Sequence, residues 1–252
     1  MIELNHISVG YGKVSVLKDV NLKIDRGRIT TILGTNGCGK STLLKTIVRL
    51  LPHTAGTITV ENIPVEQYSP TDLAKKIAYL PQSKNIPEMT VLQMVLHGRF
   101  PHLSYPRIYR KQDVEIAEQS LKTLGIEHLA SRELRELSGG MRQKAYIAMA
   151  LAQKAPVILM DEPMTYLDIA GQLHLGETLR YLAKHDRTLV LVLHDLPLAL
   201  KISDKIAVLH EGGLLDFGTP EEVLKNGSLE RAYQIKIHPV HTENGVDYVC
   251  SL

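Results

Sequence analysis

The 252-residue sequence predicts an α/β fold: a largely parallel sheet covered by helices, with an antiparallel β lobe at its start and a helical subdomain inserted in its middle. Three observations carry this expectation. Short continuous apolar runs at Ile29–Leu33 (ITTIL), Val157–Met160 (VILM) and Leu189–Leu193 (LVLVL) suit strands buried on both faces. Helical periodicity lies between such runs, as crossover connections require. The opening segments IELNHISVGYG and SVLKDVNLKID instead alternate like antiparallel strands, and strand signals vanish from about Pro87 to Leu134.

Each element follows from its own residues. After the alternating start, ITTIL ends at Gly34, glycines follow, and the leucines and isoleucine of STLLKTIVRLL recur at helical spacing, so the unit reads strand, loop, helix. DVEIAEQSLKTLG carries helical periodicity in the inserted lobe. VILM ends in DEP, Gly171–His185 is helical, LVLVL ends in HD, and Ala207–Leu209 before HEGG suggests a strand with a turn. The expected organisation is one domain over 1–252: an α/β core at 1–86 and 154–230, a helical subdomain at 87–153, and a less regular tail at 231–252 left without assignment. Ligand chemistry should collect at the carboxyl ends of the strands.

Composition narrows the class. At 44% hydrophobic the chain can fill a substantial interior, so disorder is not expected. Against 29 basic residues stand 27 acidic ones, a formal net charge of +2. That near balance leaves no electrostatic footprint for a nucleic acid backbone, and no nucleic-acid partner is expected. Cys38 and Cys250 are the only cysteines, and Cys38 lies in a glycine-rich loop that a disulfide would obstruct, which suits a reducing cytoplasmic compartment. The start MIELNHISVGYGK lacks a basic region followed by an apolar core. No stretch reaches the ~18 uncharged apolar residues of a membrane span, so a soluble chain is expected.

The residues Gly34, Thr35, Asn36, Gly37, Cys38, Gly39, Lys40 and Ser41, followed by Thr42, satisfy the phosphate-binding P-loop pattern. Small residues let successive backbone N–H groups face phosphate oxygens, Lys40 should reach the β/γ-phosphates, and the Ser41 hydroxyl should ligate Mg²⁺. Placement between a strand and a helix separates this loop from an ordinary glycine turn. In VILMDEP, Asp161 would hold Mg²⁺, directly or through water, and Glu162 would polarise the attacking water. Alone, Asp-Glu after a strand is a solvated turn; the upstream loop favours catalysis. His194 taken alone reads as a structural hydrogen bonder, and Gln82 after AYLP is ambiguous in the same way. Tyr11 could stack on a purine or simply occupy a surface turn. In ELSGGMRQK, Ser138 could cap a helix beginning near Gly139, leaving free N–H groups and a positive dipole end for an anion. An ordinary helix start accounts for an isolated SGG equally well.

Together GTNGCGKST, Gln82, LSGGMRQ at 137–143, VILMDEP, Tyr166-Leu167-Asp168 and His194, in this order and spacing, resemble the nucleotide-binding subunit of ATP-binding-cassette (ABC) transporters over nearly the whole chain. The resemblance implies the P-loop NTPase fold of ABC ATPases, ATP and Mg²⁺ as cofactors, and ATP hydrolysis coupled to transport. It also implies a head-to-tail homodimer in which each nucleotide lies between the phosphate loop of one copy and the LSGG signature of the other. Ser138, Gly139, Gly140 and Gln143 would then bind ATP in trans. Tyr11 resembles the aromatic that stacks on adenine, with Val16 beside it. Gln82 resembles the glutamine that contacts Mg²⁺ and senses the transporter, His194 the switch histidine on the γ-phosphate, and Asp168 the aspartate communicating across the dimer. Thr35 stands where proline is usual and Met164 where threonine is usual, and neither position supplies an essential group. A bulky thiol reagent on Cys38 is expected to block phosphate entry.

Within that family, VLHGRFPHLSYP at 95–106 and TYLDIAGQ at 165–172 are similar to importers of iron chelates, haem and cobalamin. The resemblance places the chain peripherally on the cytoplasmic face of the cell membrane, with integral membrane permease subunits and, indirectly, a substrate-binding protein. Arg99, Phe100 and Tyr105 would form part of the groove receiving the permease's coupling helix. Soluble relatives that act on ribosomes or DNA generally carry two cassettes or long coiled coils, whereas this sequence has one cassette and a short helical lobe. His238 and His241 in HPVH, near Cys250, read as an ordinary tail, not a metal site.

Overall fold

A computed structural model of the protein describes residues 1–12, 14–82, 86–243 and 245–252. In chain order its elements begin β1 (Ile2–Tyr11), β2 (Val14–Ile24), β3 (Ile29–Leu33), α1 (Lys40–Ile47), β4 (Ala55–Val60), β5 (Ile63–Pro64), α2 (Pro70–Lys76) and β6 (Ile77–Leu80). Helices α3 (Val91–His97), α4 (Lys111–Thr123) and α5 (Gly139–Ala152) follow without an intervening strand. Then come β7 (Val157–Asp161), α6 (Ile169–Lys184), β8 (Thr188–Val192), α7 (Leu196–Ile202), β9 (Lys205–His210) and β10 (Gly213–Gly218). The chain closes with α8 (Pro220–Lys225), α9 (Ser228–Tyr233), β11 (Lys236–Thr242) and β12 (Gly245–Ser251).

One sheet is antiparallel, in the order β2-β1-β4-β5. Strand β1 keeps Ile2, Leu4, Ile7 and Val9 on the buried face although the spacing is uneven. A register shift between Leu4 and Ile7, where His6 takes a φ of 55°, inserts the extra residue that restores the alternation. The other large sheet runs β10-β9-β3-β8-β7-β6, parallel from β9 to β6 with β10 antiparallel at its edge. Every residue of β3, β7 and β8 is buried, which is why these strands are continuous apolar runs.

Successive side chains of these strands feed two cores. Ile158, Met160, Leu189 and Leu191 join the helices on one side, whereas Val157, Leu159, Val190 and Val192 join β1, β2 and α1 on the other. Helix α1 therefore sits between the two sheets, and the loop preceding it emerges at the carboxyl end of β3.

The inserted helices pack on the first of these cores through Val91, Val95, Ala117, Leu121, Ala145 and Ala148. Thr90 and Gln93 form a capping box that fixes the start of α3. Arg99 departs from its expected place in an open groove. It is 7% exposed; its Nε donates to Asp113 Oδ1 at 2.9 Å and its Nη1 to the Ala152 carbonyl at 2.9 Å, so it knits the lobe together from inside.

The tail also needs correction. Residues 231–252 contain the end of α9 and an antiparallel hairpin of β11 and β12, which places HPVH in a strand, where His238 hydrogen-bonds Ser251. An ion pair of 2.7 Å between Lys201 of α7 and Asp247 of β12 docks the hairpin on the α/β core. No helix of the described residues is long and apolar enough to cross a membrane.

Candidate active site

The loop between β3 and α1 starts at Gly34 and ends at Gly39, whose φ of 104° caps α1 in the left-handed region that glycine adopts freely. Lys40 is 6% exposed and folds back into the loop, donating to the carbonyls of Gly34 at 2.7 Å and Thr35 at 3.0 Å. Asn36, Gly37, Gly39, Lys40, Ser41 and Thr42 line a cavity of about 550 Å³, closed by Val16, Gln82, Glu162 and His194. Residues from β2 and from the carboxyl ends of β3, β6, β7 and β8 thus meet around one space.

Register explains why Glu162 and His194 meet. Strands β7 and β8 are parallel neighbours with Asp161 opposite Val192, so the residues just beyond each end lie side by side. The Glu162 N–H donates to the Val192 carbonyl at 3.1 Å, and His194 Nε2 lies 2.6 Å from Glu162 Oε1. Glu162 adopts a φ of 53°, a conformation that costs a non-glycine residue about 1–3 kcal/mol and that clusters at functional sites.

Asp161 is 1% exposed, beneath the cavity. Burial pushes its carboxyl above the ordinary range and the neighbouring Glu162 adds to this, opposed by a hydrogen bond from Ser41 and by the charges of Lys45 and Lys40. Its Oδ1 has no hydrogen-bond partner among the described residues. A buried, unpartnered carboxylate oxygen beside a serine hydroxyl fits the all-oxygen chemistry of Mg²⁺.

The LSGG helix start lies elsewhere. Ser138 caps α5, its hydroxyl accepting from the Met141 N–H at 3.3 Å. None of Ser138, Gly139 or Gly140 lines the cavity around Lys40. The segment Tyr166–Leu167 packs against Gly139 and Gly140, and Asp168 caps α6 by accepting from the Gly171 N–H at 2.8 Å. Gln82 lines both the Lys40 cavity and a second one of about 370 Å³ that includes Gly139, Arg142 and Tyr166.

Three residues differ from expectation. Gln143 is 4% exposed and its amide donates to the Pro163 carbonyl at 2.9 Å, so it ties α5 to the segment after Glu162 instead of facing outward with Ser138. The Cys38 side chain points into the core beside Leu43 and Leu209, is 7% exposed, and has its thiol pKa raised by burial. Tyr11 ends β1 half-exposed and is not among the residues lining the cavity. Sequence reading missed Tyr233, whose hydroxyl accepts a hydrogen bond from the Gly34 N–H across 199 positions, because a side chain that serves a backbone group leaves no motif.

Comparison with known proteins agrees with this geometry. The ABC transporter family profile matches residues 17–165. The chain is 40% identical over 225 residues to the petrobactin import ATP-binding protein FpuD of Bacillus anthracis, covering 88% of this chain and 82% of that protein. It is 39% identical over 236 residues to the iron(3+)-hydroxamate import ATP-binding protein FhuC of Bacillus subtilis (strain 168), covering 93% and 88%. Among solved structures, a metal-chelate type ABC transporter in an inward-facing conformation superposes with a TM-score of 0.86 at 28% identity, covering 100% of this chain and 97% of that one. The dimeric cassette MJ0796 superposes with a TM-score of 0.78 at 30% identity, covering 87% and 99%. The family profile spans more than half of the chain and falls on the phosphate loop, the LSGG helix and the Asp161-Glu162 strand end alike: the chain belongs to the ABC transporter family, as one of its ATP-hydrolysing subunits.

Proposed function

We propose that this chain powers the import of an iron chelate, working as a head-to-tail pair of copies on integral membrane permease subunits at the cytoplasmic face of the membrane. One observation supports the pairing: of the two glycine-rich helix starts, at Gly39 and at Ser138, the one at Lys40 lines the cavity with Glu162 and His194 and the one at Ser138 does not. A second copy turned end for end would bring its Ser138, Gly139 and Gly140 over that cavity and neutralise the phosphate charge from the open side. Two identical patches meeting in this way form a closed, isologous contact.

Each residue then has a task. The N–H groups of the loop 34–42 bind phosphate oxygens, and Lys40 exchanges its two carbonyl partners for them. Ser41, Asp161 and Gln82 would hold Mg²⁺, which neutralises charge on the transferring phosphoryl group. Glu162 accepts the proton of the attacking water, and His194, joined to it at 2.6 Å, orients that carboxylate and faces the γ-phosphate. Asp168, fixed at the start of α6 beside the LSGG turn, relays the state of one pocket to the other. Gln82 stands between the nucleotide cavity and the helical lobe, a suitable position for linking nucleotide state to the permease. On that lobe Tyr105 is 97% exposed, and Phe100 lies under the Arg107 guanidinium at 4.7 Å from its ring centre, offering an aromatic and cationic surface to the permease.

The iron-chelate cargo is supported by the relatives that import petrobactin and iron(3+)-hydroxamate and by the metal-chelate type neighbour. Loss of this chain should abolish energy-dependent uptake of a ferric hydroxamate while the permease stays in the membrane. Undiminished uptake in its absence, or recovery of the chain from parent cells entirely in the soluble fraction, would contradict the assignment.

A further inference from the structure

The first residue of the phosphate loop is held from two directions. Its N–H donates to the Tyr233 hydroxyl at 2.7 Å, and its carbonyl accepts from Lys40 Nζ at 2.7 Å. Gly34 has a φ of 151° and leaves no room for a side chain, since a Cβ there would collide with the Leu209 carbonyl of β9 and with Cys38 Sγ. Tyr233 thus fixes the peptide before Gly34, and Lys40 fixes the peptide after it.

Tyr233 is well placed to hold firm. It ends α9, where Gln234 turns the chain in the left-handed region at a φ of 55°. Leu229 and Ala232 of the same helix are buried against the sheet core that includes Ile206 and Val208 of β9. Beyond the turn, the Ile237 N–H donates to Glu230 Oε1 at 3.0 Å, and the hairpin is clasped to α7 by Lys201 and Asp247. Helix α7 is capped by Asp195, directly after His194. The C-terminal segment therefore grips both the phosphate loop and the helix that follows the histidine.

We infer that Tyr233 is a positioning residue for nucleotide binding: its hydroxyl locks the peptide before Gly34, so that when phosphate draws Lys40 away from the Gly34 carbonyl the loop keeps its binding shape. The inference rests on the loop 34–42 being the phosphate site. With the tether in place the peptide before Gly34 keeps its orientation as Lys40 leaves; without it that peptide is released as well, and the Gly34 N–H loses its partner. Burial pushes the Tyr233 phenol up to about 12, and its oxygen accepts the Gly34 N–H.

The test is equilibrium binding of a fluorescent ATP analogue to the full chain carrying Tyr233→Phe, with hydrolysis measured alongside. The expected result is a dissociation constant and KM raised about five- to tenfold, the effect of one lost hydrogen bond, with kcat at saturating ATP within about twofold of the parent. The Gly34 amide resonance should also shift and lose exchange protection. Val223→Ala, a core deletion in α8 outside the loop 34–42, should lower the melting temperature and leave the dissociation constant within about twofold. Tyr233→Phe binding within about twofold of the parent, or Val223→Ala reproducing its shift, would overturn the inference. Lys40→Ala in the same titration tests the loop assignment separately, since unaltered binding there would sink that assignment and not merely the tether.

Discussion

Replacing Glu162 by glutamine isolates the chemical step. The side chain is 17% exposed, and its Oε1 lies 2.6 Å from His194 Nε2. Glutamine keeps the volume and one oxygen at that distance, so a His194 N–H can still donate and the pocket should keep its shape. The backbone at φ 53° is equally unfavourable for either residue, and the Val192 carbonyl still receives the same N–H, so global stability should change by less than ~1 kcal/mol. What disappears is the proton acceptor. A positioned general base contributes about 10²- to 10⁴-fold in rate, equivalent to about 2.7–5.5 kcal/mol of barrier. Single-turnover hydrolysis should therefore fall by that factor while ATP-analogue binding stays near the parent value. Size-exclusion chromatography with ATP should show an accumulated dimer. Turnover within about tenfold of the parent, with binding intact, would refute the base assignment, because less than ~1.4 kcal/mol would then separate the two chains.

Other expectations follow from burial. Because folding raises the Asp161 pKa, its cost to stability is absent below the unfolded carboxylate value, grows as pH rises toward the folded value, and is complete above it. Asp161→Asn should accordingly raise the nucleotide-free melting temperature at neutral pH, by about 2–4 °C per ~1 kcal/mol relieved, while abolishing Mg²⁺-dependent hydrolysis; calorimetry and an ATPase assay check the pair of outcomes. Cys38, buried and with a raised pKa, should react with thiol reagents far more slowly than the exposed Cys250, as mass spectrometry of partly labelled protein would resolve. Arg99→Ala strands Asp113 in a site 10% exposed and should cost about 3–5 kcal/mol, whereas Arg99→Met with Asp113→Leu should recover most of it in urea denaturation.

The parallel sheet was legible because strands buried on both faces must be apolar throughout, as ITTIL, VILM and LVLVL are. The cap at Ser138 was legible because capping is local chemistry. The C-terminal hairpin was not: β12 leaves Val246 and Val249 partly exposed, β11 contains Pro239, and its docking combines an ion pair to a helix 46 positions away with packing of Ile237 and Tyr248 on a core distant in sequence. Arg99 misled for a related reason. An arginine beside phenylalanine and proline reads as surface, and nothing local announces that Asp113 will meet it inside the lobe. Gln143 and Cys38 sit within motifs yet turn inward, since a motif constrains residue type more tightly than side-chain direction.

The pairing of two copies meets its most direct test in a mixed dimer in which one copy alone carries Ser138→Arg. Vanadate-dependent trapping of an azido-ATP analogue, read on each copy after separation by mass, reports which phosphate loop has lost its lid. Labelling should vanish from the unsubstituted copy and persist on the Ser138→Arg copy. Loss confined to the substituted copy would mean that each chain closes its own pocket, and the shared site would have to be abandoned.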